Sequence, residues 1–578
     1  MRGAARVVRP ADLWTAGLVV LALGTGMRVW ALQGTWFFFD DFYFIQKAHG
    51  RSITLDYLLT PYNGHLMPAA AALTWLNDRV GGLNYILPAW EIALGFAAAG
   101  FGMLRLCVTL FGTRWAALVP ATLFVFSPIL IPATTWWAAA VNQVPMLIAM
   151  TFGLDAFVRH LRHPSPRGLI THLSWFVLGL AFGERAVVAF GLSWLIAILY
   201  FAKGNAMERG QSLYERYRAT VTAHVTLVTA YVVAYLAWAA NFDIRQAARL
   251  PLFDVARNLI WKAFGPATIG GPLHFQTSKV TQQIAHASSD FVWLSWIALA
   301  ALVGVAAYAR HGSWKAWLLP GSVLALNSIL ISTSRAIYFG PEIALDYRFQ
   351  TEAALAFALA VGFAFLPVEG AVGSVRESRP GPHLLTTRAV AVPLALICVL
   401  STITAGRYPL RHLGDKSPRA YLSAVASEAR SQPNAMVLNS VVPAWVWAPM
   451  AFPTNTYRRF FGPLGIKANY GPPITDAAMV IDDRGRFVPL QLNVVRRMRT
   501  FTPDACTPLG AAPVTFTLDG PVFGFGWYLR IGYRATSATP ITIDVGDSHH
   551  TVTAEAGEHT LLVSTSGSYE SLTVSTDS

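Results

Sequence analysis

Two adjacent carboxylates, Asp40 and Asp41, lie in the run WFFFDDFY just beyond the first long apolar segment of the chain. This position places both acids at a membrane surface among aromatic side chains, where charge is costly. Neighbouring carboxylates repel each other, so one of them has a raised pKa unless an arginine or a divalent metal compensates. Such a pair suits removal of a proton from a hydroxyl group. We expect Asp40 to be the base and Asp41 its orienting partner, or a ligand of Mg²⁺ or Mn²⁺.

Basic residues that could hold a phosphate group occur far along the chain. The foremost is Arg348 in the run Asp346-Tyr347-Arg348, because a guanidinium grips phosphate oxygens in pairs and stays charged near lipid. An interfacial anchor that reaches to the lipid headgroups is the alternative for Arg348. The further candidates for the phosphate are Tyr347, Arg335, Arg185 and Lys279. For Arg185, an internal ion pair with Glu184 that caps two helices is the stronger alternative.

Four residues are candidates for binding an acceptor that carries hydroxyl groups. Asn63 and His65 flank Gly64 in the first loop, and either binding or a cap of the second span would explain them. Trp136 and Trp137 form an aromatic pair at the outer end of a span. Aromatic faces stack on sugar rings, but such pairs also form interface belts.

The composition is that of a polytopic α-helical membrane protein. Of 578 residues, 54% are apolar and 13% are charged, and the mean hydropathy is +0.44. The net charge of +13 does not indicate nucleic-acid binding, because most basic residues of the first two-thirds fall in alternate loops. The three cysteines make a disulfide framework improbable.

The apolar segments predict about eleven transmembrane helices within residues 1–405. The first, at 13–32, is expected to be a retained signal anchor, because it is long enough to span and offers no small-residue cleavage site. Its basic N-terminal flank holds the N-terminus in the cytoplasm. Asp40 and Asp41 are then extracytoplasmic, and an amphipathic interfacial helix is expected after them. The remaining spans are predicted near 84–105, 115–133, 138–158, 168–183, 186–202, 219–240, 290–309, 315–333, 350–367 and 389–405.

The last third of the chain is polar and is expected to lie outside the membrane. Residues 406–500 contain strand-like runs and predict an α/β region, and 501–578 predict an antiparallel β-sandwich. The predicted strands of this sandwich are 514–518, 527–531, 541–545, 559–563 and 572–574. A role in carbohydrate binding and a role in bracing a neighbouring domain are equally compatible with such a sandwich.

The predicted architecture resembles the GT-C superfamily of membrane glycosyltransferases. The features that carry the resemblance are the retained first helix, the motif Phe39-Asp40-Asp41-Phe42, the amphipathic first loop, the eleven spans and the outer C-terminal region. The run Asp346-Tyr347-Arg348 is similar to an arginine-tyrosine motif of several members, with the order reversed. The resemblance implies a polyprenyl-phosphate-linked sugar as donor, a glycan or glycolipid of the cell envelope as acceptor, and inversion at the anomeric carbon. It leaves a divalent metal optional.

Two other functions are compatible with the sequence. A flippase or transporter for lipid-linked sugars fits the helices, although no internal repeat is evident. A ligase or polymerase of the O-antigen type, which uses lipid diphosphates, fits a basic cluster between Arg245 and His286 in a long outer loop. Of the three functions, only the glycosyltransferase requires a carboxylate base, so substitution of Asp40 and Asp41 distinguishes it from the other two.

Overall fold

The structure is a computed structural model, and it describes residues 9–238, 250–277, 283–377, 387–408, 417–470, 478–500, 506–510, 512–524 and 527–576. The chain divides into two compact units, Met1–Gly414 and Asp415–Ser578.

The first unit is helical. Its long helices are α1 (Pro10–Leu32), α4 (Pro68–Gly81), α5 (Ile86–Phe111), α7 (Trp137–Arg162), α8 (Pro166–Phe182), α9 (Val187–Ile196), α10 (Ala206–Trp238), α13 (Ser289–Ala309), α14 (Leu318–Thr333), α16 (Thr351–Phe365) and α17 (Thr387–Gly406). The short elements are α2 (Asp41–Ala48), α3 (Leu55–Leu59), α6 (Leu118–Val125), α11 (Leu252–Ala256), α12 (Gly265–Thr268), α15 (Arg335–Phe339), β1 (Phe275–Thr277), β2 (Gln283–Ala285), β3 (Arg310–His311) and β4 (Arg376–Glu377).

All eleven predicted spans coincide with helical segments, but the count of eleven is not confirmed. Among the described residues, eight helices are long and apolar enough to cross a membrane. The three that fall short are α8 with 17 residues, α16 with 15, and the broken apolar segment Trp115–Leu130. A span needs about 20 residues when it is straight. Hydropathy finds the apolar segment but does not reveal where proline and backbone turns interrupt it.

The C-terminal half of α1 is fixed by close helix packing. Gly24 of α1 lies against Val125 of α6, and Gly100 of α5 lies against Leu21 of α1, so closely that a Cβ atom at either glycine would collide with these side chains. Small residues let helix backbones approach in this way. The loop that follows α1 therefore starts from a rigid position.

The second unit combines a small α/β region with two antiparallel sheets. The former contains α18 (Pro418–Ser431), α19 (Tyr457–Phe461), β5 (Met479–Ile481) and β6 (Phe487–Pro489). The sheet strands are β7 (Val514–Val522), β8 (Trp527–Ala535), β9 (Thr539–Val545), β10 (Ser548–Ala554), β11 (Gly557–Thr565) and β12 (Tyr569–Thr576). One sheet has the order β10-β9-β12-β7, and β11 pairs with β8 in the other.

Both sheets contribute to one apolar core, in which Ile543, Leu561 and Val563 are fully buried. All five strands predicted after residue 500 are present, and the prediction missed β10. Every other residue of β10 faces solvent, and its polar run Ser-His-His-Thr carries no apolar signal. Pairing with β9 through the tight turn at Gly546, whose φ is +55°, makes it a strand.

Candidate active site

Asp41 fastens the loop after α1 to the beginning of α7. Its side chain is fully buried, and one carboxylate oxygen accepts a hydrogen bond from the Phe38 amide at 2.7 Å. The other oxygen accepts from the Ala138 amide, in the first turn of α7, at 2.6 Å. Burial raises the pKa of Asp41 well above its usual range, while the two amide bonds act in the opposite direction. Both oxygens thus have backbone partners, and this arrangement determines where the neighbouring Asp40 lies.

The Asp40 carboxylate interacts with groups outside α2, the helix that it precedes. It precedes α2 at the position where aspartate commonly caps a helix, yet its carboxylate makes no such bond. Instead it accepts a hydrogen bond from the Tyr62 hydroxyl. The residue before it, Phe39, has a left-handed backbone with φ of +56°, which is unusual for a bulky side chain and typical of functional sites.

Two arginines and a histidine surround Asp40. Burial raises the pKa of this carboxyl, and Arg348 is the strongest influence in the other direction, followed by the Tyr62 bond and then by Arg335 and His65. The carboxylate is therefore partly desolvated, but the two arginines and the Tyr62 hydroxyl stabilise its charged form. A base whose pKa is shifted towards neutral pH is a stronger proton acceptor than an ordinary surface aspartate.

A two-residue hairpin brings Tyr62 and His65 to this place. The backbones of these two residues exchange hydrogen bonds of 3.0 and 2.8 Å across Asn63 and Gly64. Asn63 and Gly64 have φ values of +48° and +79°, as a type I′ turn requires. Tyr62 then stacks on Tyr43 of α2 with ring centroids 4.1 Å apart. The dipeptide Asn-Gly favours this turn, but Tyr62 is not among the site residues predicted from the sequence.

His65 connects Arg335 to Glu184. Arg335 donates to the His65 Nε2 atom at 2.8 Å and to the Asn63 carbonyl at 3.0 Å. The His65 Nδ1 atom lies 2.6 Å from a Glu184 oxygen. Since Nε2 accepts from a guanidinium, Nδ1 carries the proton and donates it to the carboxylate. This chain orients Arg335 at the edge of the cluster around Asp40.

Three contacts fix the position of Arg348. Its guanidinium pairs with Asp346 at 2.8 Å and lies over the Trp136 ring, with 4.7 Å to the ring centroid. Arg185 donates to the Arg348 carbonyl at 2.7 Å and pairs with the buried Glu352. Glu184 and Arg185 therefore do not pair with each other; each has a partner on another part of the chain.

The structure brings most of the predicted site residues together. Asp40, Asp41, His65, Asn63, Arg185, Arg335, Arg348 and Trp136 form one connected group, which we call the Asp40 cluster together with Tyr62, Glu184 and Asp346.

Two predicted residues lie elsewhere, and a third falls outside the described residues. The Tyr347 side chain points away from the cluster, because its hydroxyl donates to the carbonyls of Ala263 and Gly271 at 3.2 and 3.3 Å. Trp137 is buried against Phe37 and Phe44. Lys279 lies outside the described residues.

The surroundings of Asp40 suit an anion better than a divalent metal. The described residues contain no group of three or more histidine, cysteine, aspartate or glutamate side chains placed to hold a metal ion. Arg348 and Arg335 are close enough to Asp40 to lower its pKa, and burial together with Arg348 lowers the pKa of Arg335, as expected when two guanidinium groups are close. We therefore derive no step from a metal, and a role of Asp41 as a metal ligand stays a prediction.

No protein-family model and no curated protein matches the chain. Among solved structures, it is similar over 99% of its length to the arabinofuranosyltransferase AftD from Mycobacteria, with a TM-score of 0.43 and 12% identity. A mutant form of AftD is similar with a TM-score of 0.36 at the same identity. The chain spans 58% and 60% of these two chains.

Proposed function

We propose that the protein is an inverting membrane glycosyltransferase of the GT-C type, which transfers a sugar from a polyprenyl-phosphate donor to a cell-envelope glycan or glycolipid. The observation that carries this proposal is the Asp40 cluster, in which a partly buried carboxylate faces two arginines. Transfer from a lipid phosphate needs these two functions next to each other: a base for the acceptor hydroxyl and cations for the departing phosphate.

In the proposed reaction, Asp40 takes the proton of the acceptor hydroxyl as its oxygen attacks the anomeric carbon. The bond from that carbon to the phosphate oxygen breaks on the opposite face, so the configuration inverts. Arg348 and Arg335 neutralise the charge that develops on the phosphate, which is the largest electrostatic demand of the step. Asp41 holds Asp40 in place, and Arg185 holds the backbone of Arg348.

The aromatic surroundings support the acceptor side of this proposal. Tyr62 and Tyr43 present stacked rings beside Asp40, and Trp136 lies under Arg348. Aromatic rings provide rigid apolar contact with a polar edge, as a sugar requires.

The test is transfer by the full chain in lipid nanodiscs, with a panel of polyprenyl-phosphate and polyprenyl-diphosphate sugars and glycan acceptors. We expect transfer from a monophosphate donor and its loss in Asp40→Asn. Asp56→Asn is the matched control, since Asp56 is exposed in α3. Transfer only from diphosphates would favour a ligase, and movement of donor across the bilayer without transfer would favour a flippase. The same reactions in EDTA measure any contribution of Mg²⁺ or Mn²⁺.

A further inference from the structure

The second unit carries a short, wholly apolar loop on its surface. Its sequence is Pro449-Met450-Ala451-Phe452-Pro453, and we call it the apolar loop. Met450 is 62% exposed and Phe452 is 66% exposed, and both prolines are exposed as well. Single exposed apolar side chains are common on protein surfaces. A contiguous group of them marks a surface that contacts a partner.

The backbone of the apolar loop has little need of water. The loop begins with a 3₁₀ turn, Pro449–Ala451. The Ala451 amide donates to the Ala448 carbonyl at 3.0 Å, and the Phe452 amide donates to the Pro449 carbonyl at 3.1 Å. Pro449 and Pro453 have no amide hydrogen. Backbone groups enter an apolar phase at low cost only when they have partners or lack the donor, and four of these five residues meet that condition for the amide.

The shape of the apolar loop is fixed by Asn455, which is 1% exposed. Its side-chain amide donates to the Ala448 carbonyl at 3.2 Å, and its backbone amide donates to the Ala451 carbonyl at 3.3 Å. The exposure of Met450 and Phe452 is therefore a property of the folded unit. Because the turn is already ordered, little backbone entropy is lost when these side chains meet a partner.

The chain around the apolar loop is basic. Residues 431–475 contain Arg458, Arg459 and Lys467, and they contain no aspartate or glutamate. All three cationic residues are exposed. The two arginines belong to α19, which begins four residues after Pro453. Exposed apolar side chains with cations close by are typical of segments that bind the surface of an anionic bilayer.

The second unit is tied to the membrane by its connection to α17. This helix is long and apolar enough to cross a membrane, and it ends at Gly406. Eleven residues separate Gly406 from Pro418, where α18 begins. Even when fully extended, eleven residues reach at most about 40 Å. The bilayer surface is therefore always within reach of the second unit, at a high effective concentration.

We propose that the apolar loop docks the second unit on the surface of an anionic phospholipid bilayer. Met450 and Phe452 enter the boundary between headgroups and acyl chains, and Arg458 and Arg459 contact the headgroup phosphates. Docking restricts the motion of the unit that its eleven-residue connection otherwise allows. This contact goes beyond the proposed transfer reaction and does not depend on it.

The test is the collision accessibility of a nitroxide spin label on Met450→Cys, in the full chain. Cys398 and Cys506 are first replaced by serine, and the protein is placed in nanodiscs of phosphatidylglycerol and phosphatidylcholine in equal parts. Oxygen concentrates among acyl chains, whereas a nickel chelate stays in water. We expect the label to collide with oxygen and to lose its collisions with the chelate. The same label on Ser537→Cys, an exposed position between β8 and β9, is the control and should collide freely with the chelate.

A second substitution tests the contribution of the loop itself. Phe452→Ser should shift the equilibrium of the loop away from the docked state by at least about tenfold, the factor that corresponds to burial of one phenylalanine side chain. Collisions of the label at Met450→Cys with the chelate should then return. Phe523→Ser is the matched control, since Phe523 is 65% exposed in the same unit but lies outside the loop. It should leave these collisions unchanged.

The two collision reagents also distinguish lipid from other partners. A label that meets neither oxygen nor the chelate lies against protein, either the first unit or a second copy of the chain, and this result would overturn the proposal. Free collision with the chelate in the unaltered loop, or equal effects of Phe452→Ser and Phe523→Ser, would also overturn it. In nanodiscs of phosphatidylcholine alone, collisions with the chelate should increase, and an unchanged value would contradict the contact of the arginines with anionic headgroups.

Discussion

Adjacent acids have different surroundings in this protein. Asp41 satisfies two backbone amides, one from the loop and one from α7, whereas Asp40 makes no cap bond with its own helix and faces Arg348 and Arg335. Repulsion within the pair explains only part of the raised pKa of Asp41, because burial is the larger cause. One acid therefore positions the other, and substitutions at the two sites should have different effects.

Asp41→Asn should destabilise the protein, and Asp40→Asn should not. An asparagine has one acceptor oxygen where Asp41 uses two, so one buried amide loses its partner at a cost of about 1–3 kcal/mol. Asp40→Asn removes a charge whose burial is unfavourable, so its melting temperature should equal or exceed that of the unaltered chain. Thermal unfolding of both variants in the same detergent measures this. Equal melting temperatures would contradict the positioning role of Asp41.

The pH dependence of transfer should report on Asp40. The base works only when it is deprotonated, so kcat/KM falls as the pH drops through its pKa, which burial has raised. The Tyr62 hydroxyl stabilises the charged form and lowers this pKa. Tyr62→Phe should therefore shift the acidic limb upward by roughly half to one pH unit, the equivalent of one net hydrogen bond. A shift to lower pH, or none, would mean that another group controls the limb.

At the scale of elements, the short hairpin after α3 determines which side chains contact Asp40. It places Tyr62 beside Asp40 and His65 between Arg335 and Glu184. The long helices provide the frame, but a turn of two residues with left-handed backbone sets the contacts of the candidate base.

Gly64→Ala should reduce both stability and turnover. Gly64 has a φ of +79°, and a residue with a Cβ atom in this conformation is destabilised by roughly 1–2 kcal/mol. Relaxation of the turn would displace Tyr62 and His65. Gly50→Ala is the matched control, since Gly50 has φ of +67°, no atoms near an added Cβ, and no contact with the cluster. We expect similar falls in melting temperature but a lower kcat only for Gly64→Ala. An equal kcat in both variants would argue against the hairpin as a positioning element.

The sequence predicted the helices and the candidate residues better than it predicted the contacts between those residues. Asp40 and Arg348 could be identified because charged side chains near apolar segments require a reason. The bond from Asp41 to Ala138 and the pair of Arg185 with Glu352 join residues far apart in the chain, and no local pattern encodes such partners. Tyr347 illustrates the limit: its neighbour Arg348 joins the cluster, but the tight backbone turn directs the tyrosine elsewhere.

At the scale of the whole molecule, the eight long apolar helices found among the described residues indicate a membrane protein. Its orientation is predicted from the charge of the loops. We predict that the Asp40 cluster lies outside the membrane and that the connection between α7 and α8 lies on the cytoplasmic side. In intact cells, an impermeant maleimide should label a cysteine at Asp56 and spare one at Arg167, and permeabilisation should expose the latter. Replacing Cys398 and Cys506 by serine removes the cysteines that are not buried. The reverse labelling pattern would invert the predicted orientation.

The most direct test of the central claim is the kinetics of Asp40→Asn with a polyprenyl-phosphate sugar donor. If Asp40 is the base, kcat falls at least about a hundredfold, while the KM for the donor stays within roughly a factor of two. Arg348→Gln should instead weaken donor binding, since it removes a cation that holds the phosphate. A fall in kcat of less than about tenfold for Asp40→Asn in folded protein would contradict the assignment of Asp40 as the base.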